Sequence, residues 1–271
     1  VVREILGAVR QGGDQALLEY TRRFEGADLS SQGLQVGADE MEDAYRDVTA
    51  ENLGALRLAA QRIRTFHESQ KQTSWIVDLG EGSWAGQLIR PLSRVGVYVP
   101  GGKAVYPSSV LMNVVPARVA GVKEVFLCTP PSSSGKLDPH VLVAAHLAGV
   151  EAVFKVGGAQ AIAALAFGTE TIPRVDKVVG PGNIYVTSAK RLVYGWVGID
   201  LLAGPSEVVI VADETAHPNL VAADLLAQAE HDEQALSVLV TPAESLAREV
   251  QGELDRQISS LSRAEIARQA L

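Results

Sequence analysis

Cysteine is nearly missing from this sequence: Cys128 is the single one in 271 residues. No intrachain disulfide is possible, so the fold must rest on burial. A lone thiol accords with a reducing compartment, and the expected location is cytoplasmic. Long apolar runs are also lacking. None reaches the ~20 residues needed to span a bilayer, and the opening residues show no basic-then-apolar secretory pattern. Clustered basic residues are missing as well. Lys and Arg number 24 against 32 Asp and Glu, a formal net charge of -8, which disfavours nucleic acid and anionic membrane as partners. Four motifs are absent too: G-x-G-x-x-G, the P-loop, G-x-S-x-G and C-x-x-C. Their absence lowers the standard dinucleotide, nucleotidase, serine-hydrolase and thiol-redox readings. Val1 is not a methionine, and the helical run from Ala264 to Leu271 has no stop signal. Both ends are therefore expected to be cuts in a longer chain.

What is present is ordinary globular composition, 47% hydrophobic and 21% charged, enough for one large domain or two ordinary ones. The first 70 residues read as helices. Val2, Ile5, Leu6 and Val9 form one stripe, Gly12-Gly13 breaks it, and Asp14 is placed to cap a second helix running to Phe24. Residues 39–48 and 52–70 continue the helical pattern, with an extended piece at 34–36 between helices. Gly80-Glu81-Gly82 separates two strands of a hairpin. From Arg94 onward short apolar strands alternate with helices: strands at 95–99, 124–128, 152–156, 177–179, 207–211 and 236–240. Asp138 followed by Pro139 marks one helix start. Pro116 interrupts the helix expected at 110–119. This alternation predicts an α/β fold with parallel sheets covered on both faces.

The candidate chemistry lies at the ends of those strands. Gly101-Gly102, Gly157-Gly158 and Gly180-Pro181-Gly182-Asn183 each follow a strand. Backbone amides at such a strand-to-helix corner bind phosphate or carboxylate, although one corner alone reads equally as a tight turn. Three at the carboxyl ends of parallel strands carry more weight together. A fourth corner, Gly204-Pro205-Ser206-Glu207, opens an apolar strand. The helix beyond it ends in Gln228-Ala229-Glu230-His231, and residues three apart share one helix face. Imidazole is a common zinc ligand and a glutamine oxygen a rare one, so spacing alone leaves a solvated helix end as the competing reading. His67, His140, His146 and His217 lack metal-spaced partners. Cys128 ends a strand, where a buried thiol behaves as a small apolar residue.

Taken in order, Arg90-Pro91, the run 96–102, the run 156–169, Val175-Asp176-Lys177, Gly180–Asn183, Ala203–Glu207 and Gln228–His231 strongly resemble histidinol dehydrogenase across essentially the whole chain. The resemblance implies a zinc-dependent, NAD-linked enzyme that oxidises L-histidinol through L-histidinal to L-histidine, the final steps of histidine biosynthesis. It implies one Zn2+ per subunit and a homodimer with shared active sites. Carried over by motif, Tyr98, Gln160 and Asn183 resemble the NAD contacts and Ser206 a substrate contact. Gln228 and His231 resemble two zinc ligands that also lie against the substrate. It also implies two incomplete Rossmann-like domains. The first comprises residues 1–101 with 204–271 and carries the N-terminal helices; the second, 102–203, is inserted into it.

One departure matters. Members of the family continue well past Leu271, into a segment with a Pro-Glu-His motif that supplies the acid/base Glu and His, and with an Asp and a His that complete the zinc site. No Pro-Glu-His occurs here, so no catalytic acid or base is assigned in this stretch. Residues 1–271 alone are expected to be inactive and to hold zinc weakly, and normal turnover by this stretch would refute that. An open sheet edge and reduced solubility are expected for it. Two other readings compete: a related zinc- and NAD-dependent dehydrogenase of another small alcohol, such as a sulfonated diol, and a non-catalytic binding or dimerisation module.

Overall fold

The computed structural model describes every residue except 32, 102–104, 203–206, 232 and 234. The chain forms two compact units, Val1–Leu202 and Ala203–Leu271.

The first unit opens with three helices, α1 (Val2–Glu25), α2 (Ala38–Asp47) and α3 (Ala50–Glu68). A separate antiparallel hairpin follows, β1 (Trp75–Gly80) with β2 (Ser83–Gln87), which leaves Trp75, Ile76 and Trp84 exposed. Then come β3 (Arg94–Tyr98), α4 (Pro107–Val119), β4 (Glu124–Thr129), α5 (Pro139–Ala148), β5 (Ala152–Lys155), α6 (Gly158–Phe167), β6 (Lys177–Val179), α7 (Ile184–Val193) and the two-residue β7 (Gly198–Ile199). Five of these strands make one sheet in the order β5-β4-β3-β6-β7, every pair parallel.

Strand side chains alternate between two cores, as the pleat requires. Tyr98, Phe126, Cys128, Phe154 and Val178 point to the layer of α1, α6 and α7. Val95, Val97, Val125, Leu127 and Val153 point to the layer of α2 to α5. Gly96 is the smallest residue in β3 because Leu165 of α6 presses on it. A Cβ there would stand 2.7 Å from a Leu165 methyl carbon.

The expected α/β architecture with parallel sheets is present. The boundary expected between residues 101 and 102 falls immediately beyond β3, yet β3 is the middle strand of this sheet. Residues 94–98 therefore belong with the strands that follow them.

One helix prediction needs correction. The break expected at Gly12-Gly13 is present, two helical stretches joined across a kink within residues 2–25 with Gly13 at φ 53° and ψ -134°, but the expected cap is not. Asp14 does not cap a new helix. Its carboxylate accepts from the backbone N–H and the hydroxyl of Thr171, while its own N–H donates to Glu170 Oε2 at 2.7 Å. A side chain at position 13 would run into that Glu170 carboxylate. The break is thus held by the turn after α6, a contact that spacing along the chain does not reveal.

The second unit is a small parallel β-α-β: β8 (Glu207–Val211), α8 (Pro218–Ala229) and β9 (Leu236–Val240), followed by α9 (Glu244–Ile258) and α10 (Ala264–Ala270). Its core joins Val221, Leu225 and Leu226 of α8 to Leu246, Val250 and Leu254 of α9, with Ile210 and Leu239 packed against them. Val209 and Val211 are exposed on β8. No helix among the described residues is long and apolar enough to cross a membrane.

Candidate functional site

The winding of the first unit places its site. From β3 the chain steps outward through β4 to β5, with α4 and α5 packing in one core. It then returns through α6, on the other face, to β6 on the far side of β3. Between β3 and β6 the strand order reverses, and ligands of open parallel sheets bind outside the carboxyl ends at such a switch point. Tyr98 ends β3, and the Gly180–Asn183 corner follows β6.

A cavity of about 610 Å³ lies there, within the range typical of small-molecule sites. Tyr98, Gln160 and Asn183, the three expected cofactor contacts, all line it, together with Gly101, Gly158 and Tyr185. They come from three different segments, so their convergence is a product of the fold. Two other cavities are larger. One, about 750 Å³, sits among Arg94, Glu124 and Asp176 at the amino ends of the strands. The other, about 720 Å³, lies between α4 and the segment around Arg90. Neither gathers the corner residues.

Each cavity residue is held by a definable contact. Tyr98 is buried, and its hydroxyl accepts from the Gly158 N–H at 3.1 Å. Burial holds its phenol above the ordinary range, so it stays neutral. Gln160 lies in the first turn of α6 and is 1% exposed. Its Nε2 donates to Glu25 Oε1 at 3.4 Å. Asn183 is the N-cap of α7, and its Oδ1 accepts from the N–H groups of Tyr185 and Val186, each at 3.1 Å. This gives Asn183 a structural duty besides any ligand contact. Asn183→Ala is expected to lower stability by about 1 kcal/mol, the usual worth of such a cap, read as a fall in denaturation midpoint without ligand. An unchanged midpoint would show that the cap contributes nothing.

The corner itself is braced from beneath. Lys190, buried on α7, donates from Nζ to the Gly180 carbonyl at 3.0 Å and to the Asp200 carboxylate. Asp200 Oδ2 accepts from Gly180 N–H at 2.8 Å. Both backbone groups of Gly180 are thereby satisfied by one ion pair. Sequence reading passed over Lys190 and Asp200. A signal was available, because Lys190 stands on the same buried stripe of α7 as Val186, Ala189 and Val193. A charged residue on such a stripe marks a paired charge. Glu25 was also passed over, and nothing local marks it.

The α6 N-terminus borders the cavity, and its N-cap, Gly157, supplies no side-chain cap. The Gly158 N–H is taken by Tyr98, and the first-turn amides after it favour an anionic group such as a phosphate. Among the described residues, Glu25 is the only acidic side chain lining this cavity, and no Lys or Arg lines it.

The second unit carries the candidate metal pair. Gln228 lies in the last turn of α8, and His231 follows the helix end, its N–H donating to the Gln228 carbonyl at 3.2 Å. His231 therefore stands just beyond the helix rather than on it. Its ring Nδ1 lies 2.8 Å from the Ala227 carbonyl. A carbonyl only accepts, so Nδ1 carries the proton and the Nε2 lone pair is left for a ligand role. Among the described residues no three His, Cys, Asp or Glu side chains gather as a metal site. Ser206 lies outside the described residues. Cys128 is fully buried and its thiol is pushed up by that burial, which fits a packing role. His140 and His146 are occupied by Asn52 with Asp138 and by Tyr45, respectively.

A family model described as histidinol dehydrogenase matches residues 1–271. The chain belongs to the histidinol dehydrogenase family. It is 55% identical over 98% of its length to a histidinol dehydrogenase of Syntrophotalea carbinolica, and 54% identical over 99% to one of Geobacter sulfurreducens. In both cases it spans 62% of the relative's length. The crystal structure of histidinol dehydrogenase from Elizabethkingia anophelis superposes with a TM-score of 0.90 at 42% identity, covering 99% of this chain and 62% of that one. A putative aldehyde dehydrogenase from Anabaena variabilis, at 16% identity and a TM-score of 0.50, shares the fold alone.

Proposed function

We propose that this chain is the larger part of a zinc-dependent, NAD-linked histidinol dehydrogenase, and that the cavity at the β3/β6 switch point receives NAD. The observation that carries this reading is the meeting of Tyr98, Gln160 and Asn183 in one cavity beside the α6 N-terminus. The substrate is L-histidinol and the product L-histidine, by way of L-histidinal, in histidine biosynthesis. A second copy of the chain completes a homodimer with shared sites.

Bound NAD would accept hydride from the carbinol carbon, and bound zinc would supply a Lewis acid and an anchor for the substrate's nitrogens. The rest is the work of this chain's residues. First-turn amides of α6 offer donors to a phosphate. The Gly158 N–H holds the Tyr98 hydroxyl at the cavity wall. His231 keeps its Nε2 free by donating Nδ1–H to Ala227, and Gln228 adds an amide oxygen one turn earlier. That donor pair fits half of a tetrahedral zinc site. Ser206 is proposed to contact the substrate. The acid/base groups, the remaining zinc ligands and further strands beside β8 and β9 belong to the part of the relatives' length that this chain does not span.

The test uses the whole protein. NADH formation from L-histidinol, about one zinc per chain and saturable NAD binding are expected. His231→Ala should lose zinc and lower turnover by roughly 100-fold or more, at least the effect of losing a metal's outer-shell partner. Turnover of a sulfonated diol but not of L-histidinol would overturn the substrate assignment. Wild-type activity in the His231→Ala protein would overturn the metal assignment.

A further inference from the structure

The end of α1 brings a carboxyl group to the cavity, and among the described residues no Lys or Arg lines it. Gln160 Nε2 donates to Glu25 Oε1. The two remaining oxygens, Glu25 Oε2 and Gln160 Oε1, are both sealed from solvent, and neither has a hydrogen-bond partner. A carboxylate beside an amide oxygen would leave two acceptors buried with no donor between them, a costly arrangement. No ion pair among the described residues includes Glu25.

Both side chains lie against the glycine pair that opens α6. A Cβ on Gly157 would collide with Glu25 Oε1, and a Cβ on Gly158 would stand 2.7 Å from Gln160 Oε1. The glycine pair makes room for these side chains as well as turning the chain into α6.

We propose that Glu25 is held as a neutral carboxylic acid in a reciprocal acid–amide pair with Gln160, as a positioning residue that fixes the Gln160 amide in the cofactor cavity. Gln160 Nε2–H donates to Glu25 Oε1, and Glu25 Oε2–H donates to Gln160 Oε1. One proton thus satisfies both orphaned oxygens. Loss of that proton to solvent breaks the second bond and sets two acceptors against each other, which releases the amide.

Burial supports this, pushing the Glu25 carboxyl up to about 7 against the smaller opposing effects of its own N–H and of Gln160. The switch therefore falls near neutrality. Tyr98 stands near Glu25, raised by burial and uncharged at that pH, and Cys128, likewise raised, stands near Tyr98. Tyr185 lines the same cavity. Arg22 and Arg23 lie in the same last turn of α1. The sign follows from linkage: a carboxyl raised on folding stabilises most below its unfolded value of 4.5, and that contribution is lost as pH rises through about 7.

The effect on cofactor rests on the NAD reading of the cavity; the pair itself does not. Two measurements on the whole protein separate them. In ligand-free melts from pH 5.5 to 8.5, wild type should lose thermal stability relative to Glu25→Gln as pH rises. An amide at position 25 supplies the same donor and acceptor at every pH. In NAD titrations, the wild-type Kd should rise about fivefold from pH 6 to pH 8, the worth of one ordinary hydrogen bond. In Glu25→Gln the ratio of the two Kd values should fall to about one. Glu25→Ala should bind weakly at both pH values. Parallel melting profiles for wild type and Glu25→Gln would overturn the pair. The expected melts with no NAD binding to wild type would support the pair and overturn its link to the cofactor.

Discussion

Replacing Lys190 with methionine is expected to lower the stability of the Val1–Leu202 unit by about 3–5 kcal/mol, the usual penalty for removing one partner of a buried ion pair. The Lys190 side chain is 3% exposed and the Asp200 side chain 24% exposed. Without the ammonium, Asp200 keeps a carboxylate in a mostly buried place, still bound to the Gly180 N–H. The Gly180 carbonyl loses its donor at the same time. The loss should appear as a fall in melting temperature on the order of 10 °C for a unit of this size. Adding Asp200→Asn should restore part of the loss, because a neutral amide leaves no unpaired charge. If Lys190→Met melts within a degree or two of wild type, the ion pair does not hold the corner.

Gly180→Ala is expected to cost as much or more. Gly180 has φ 113°, where side chains are rarely tolerated and strain costs about 1–3 kcal/mol. A Cβ would also be driven into the backbone carbonyl of Tyr98. Backbone cannot swing aside as a flexible side chain can, so β3 and the corner after β6 must separate. Gly195 provides the control. It too has positive φ, 100°, but nothing lies within 4 Å of the Cβ position. Gly195→Ala should show the conformational strain alone, so the excess loss in Gly180→Ala measures the clash. Denaturant titration of both proteins gives that difference, and equal losses would mean that the Tyr98 carbonyl yields freely. Because the corner carries Asn183 to the cavity, Gly180→Ala should also weaken the proposed NAD binding, by roughly tenfold if about 1.4 kcal/mol of contact is lost.

Much of the fold was legible because its signals are local. The α5 helix is the clearest case. Asp138 caps it through the His140 N–H at 2.8 Å, Pro139 takes the first position, and Gly149 closes it at φ 86°. Each of these residues acts within four positions of its own place in the chain. The short apolar strands were legible for a related reason. In the five-stranded sheet the middle residues of β3 and β4 are apolar and buried on both faces, and Lys155 in β5 is the polar exception, buried and paired with Glu40. The extended piece at 34–36 was legible as extended, but its pairing with Phe154 at the edge of β5 was not.

The site divides in the same way. Its glycine corners and the residues Tyr98, Gln160 and Asn183 could be picked out along the chain, because a corner after a strand has a compositional signature and the family motifs are contiguous. Sequence alone thus determined the α/β class, the order of the elements and the family. Tertiary structure alone decided that three separated corners open on one cavity, since that depends on α6 crossing the sheet and reversing the strand order between β3 and β6. It also decided the roles of Glu25, Lys190 and Asp200. Glu25 meets Gln160 across 135 positions of chain. Lys190 and Asp200 lie only ten apart, yet pair because α7 and β7 fold back around Gly180. Burial turns a carboxyl into a poised acid and two surface-like charges into a brace, and the burial of a charged residue is set by what packs over it, which no single stretch of sequence specifies.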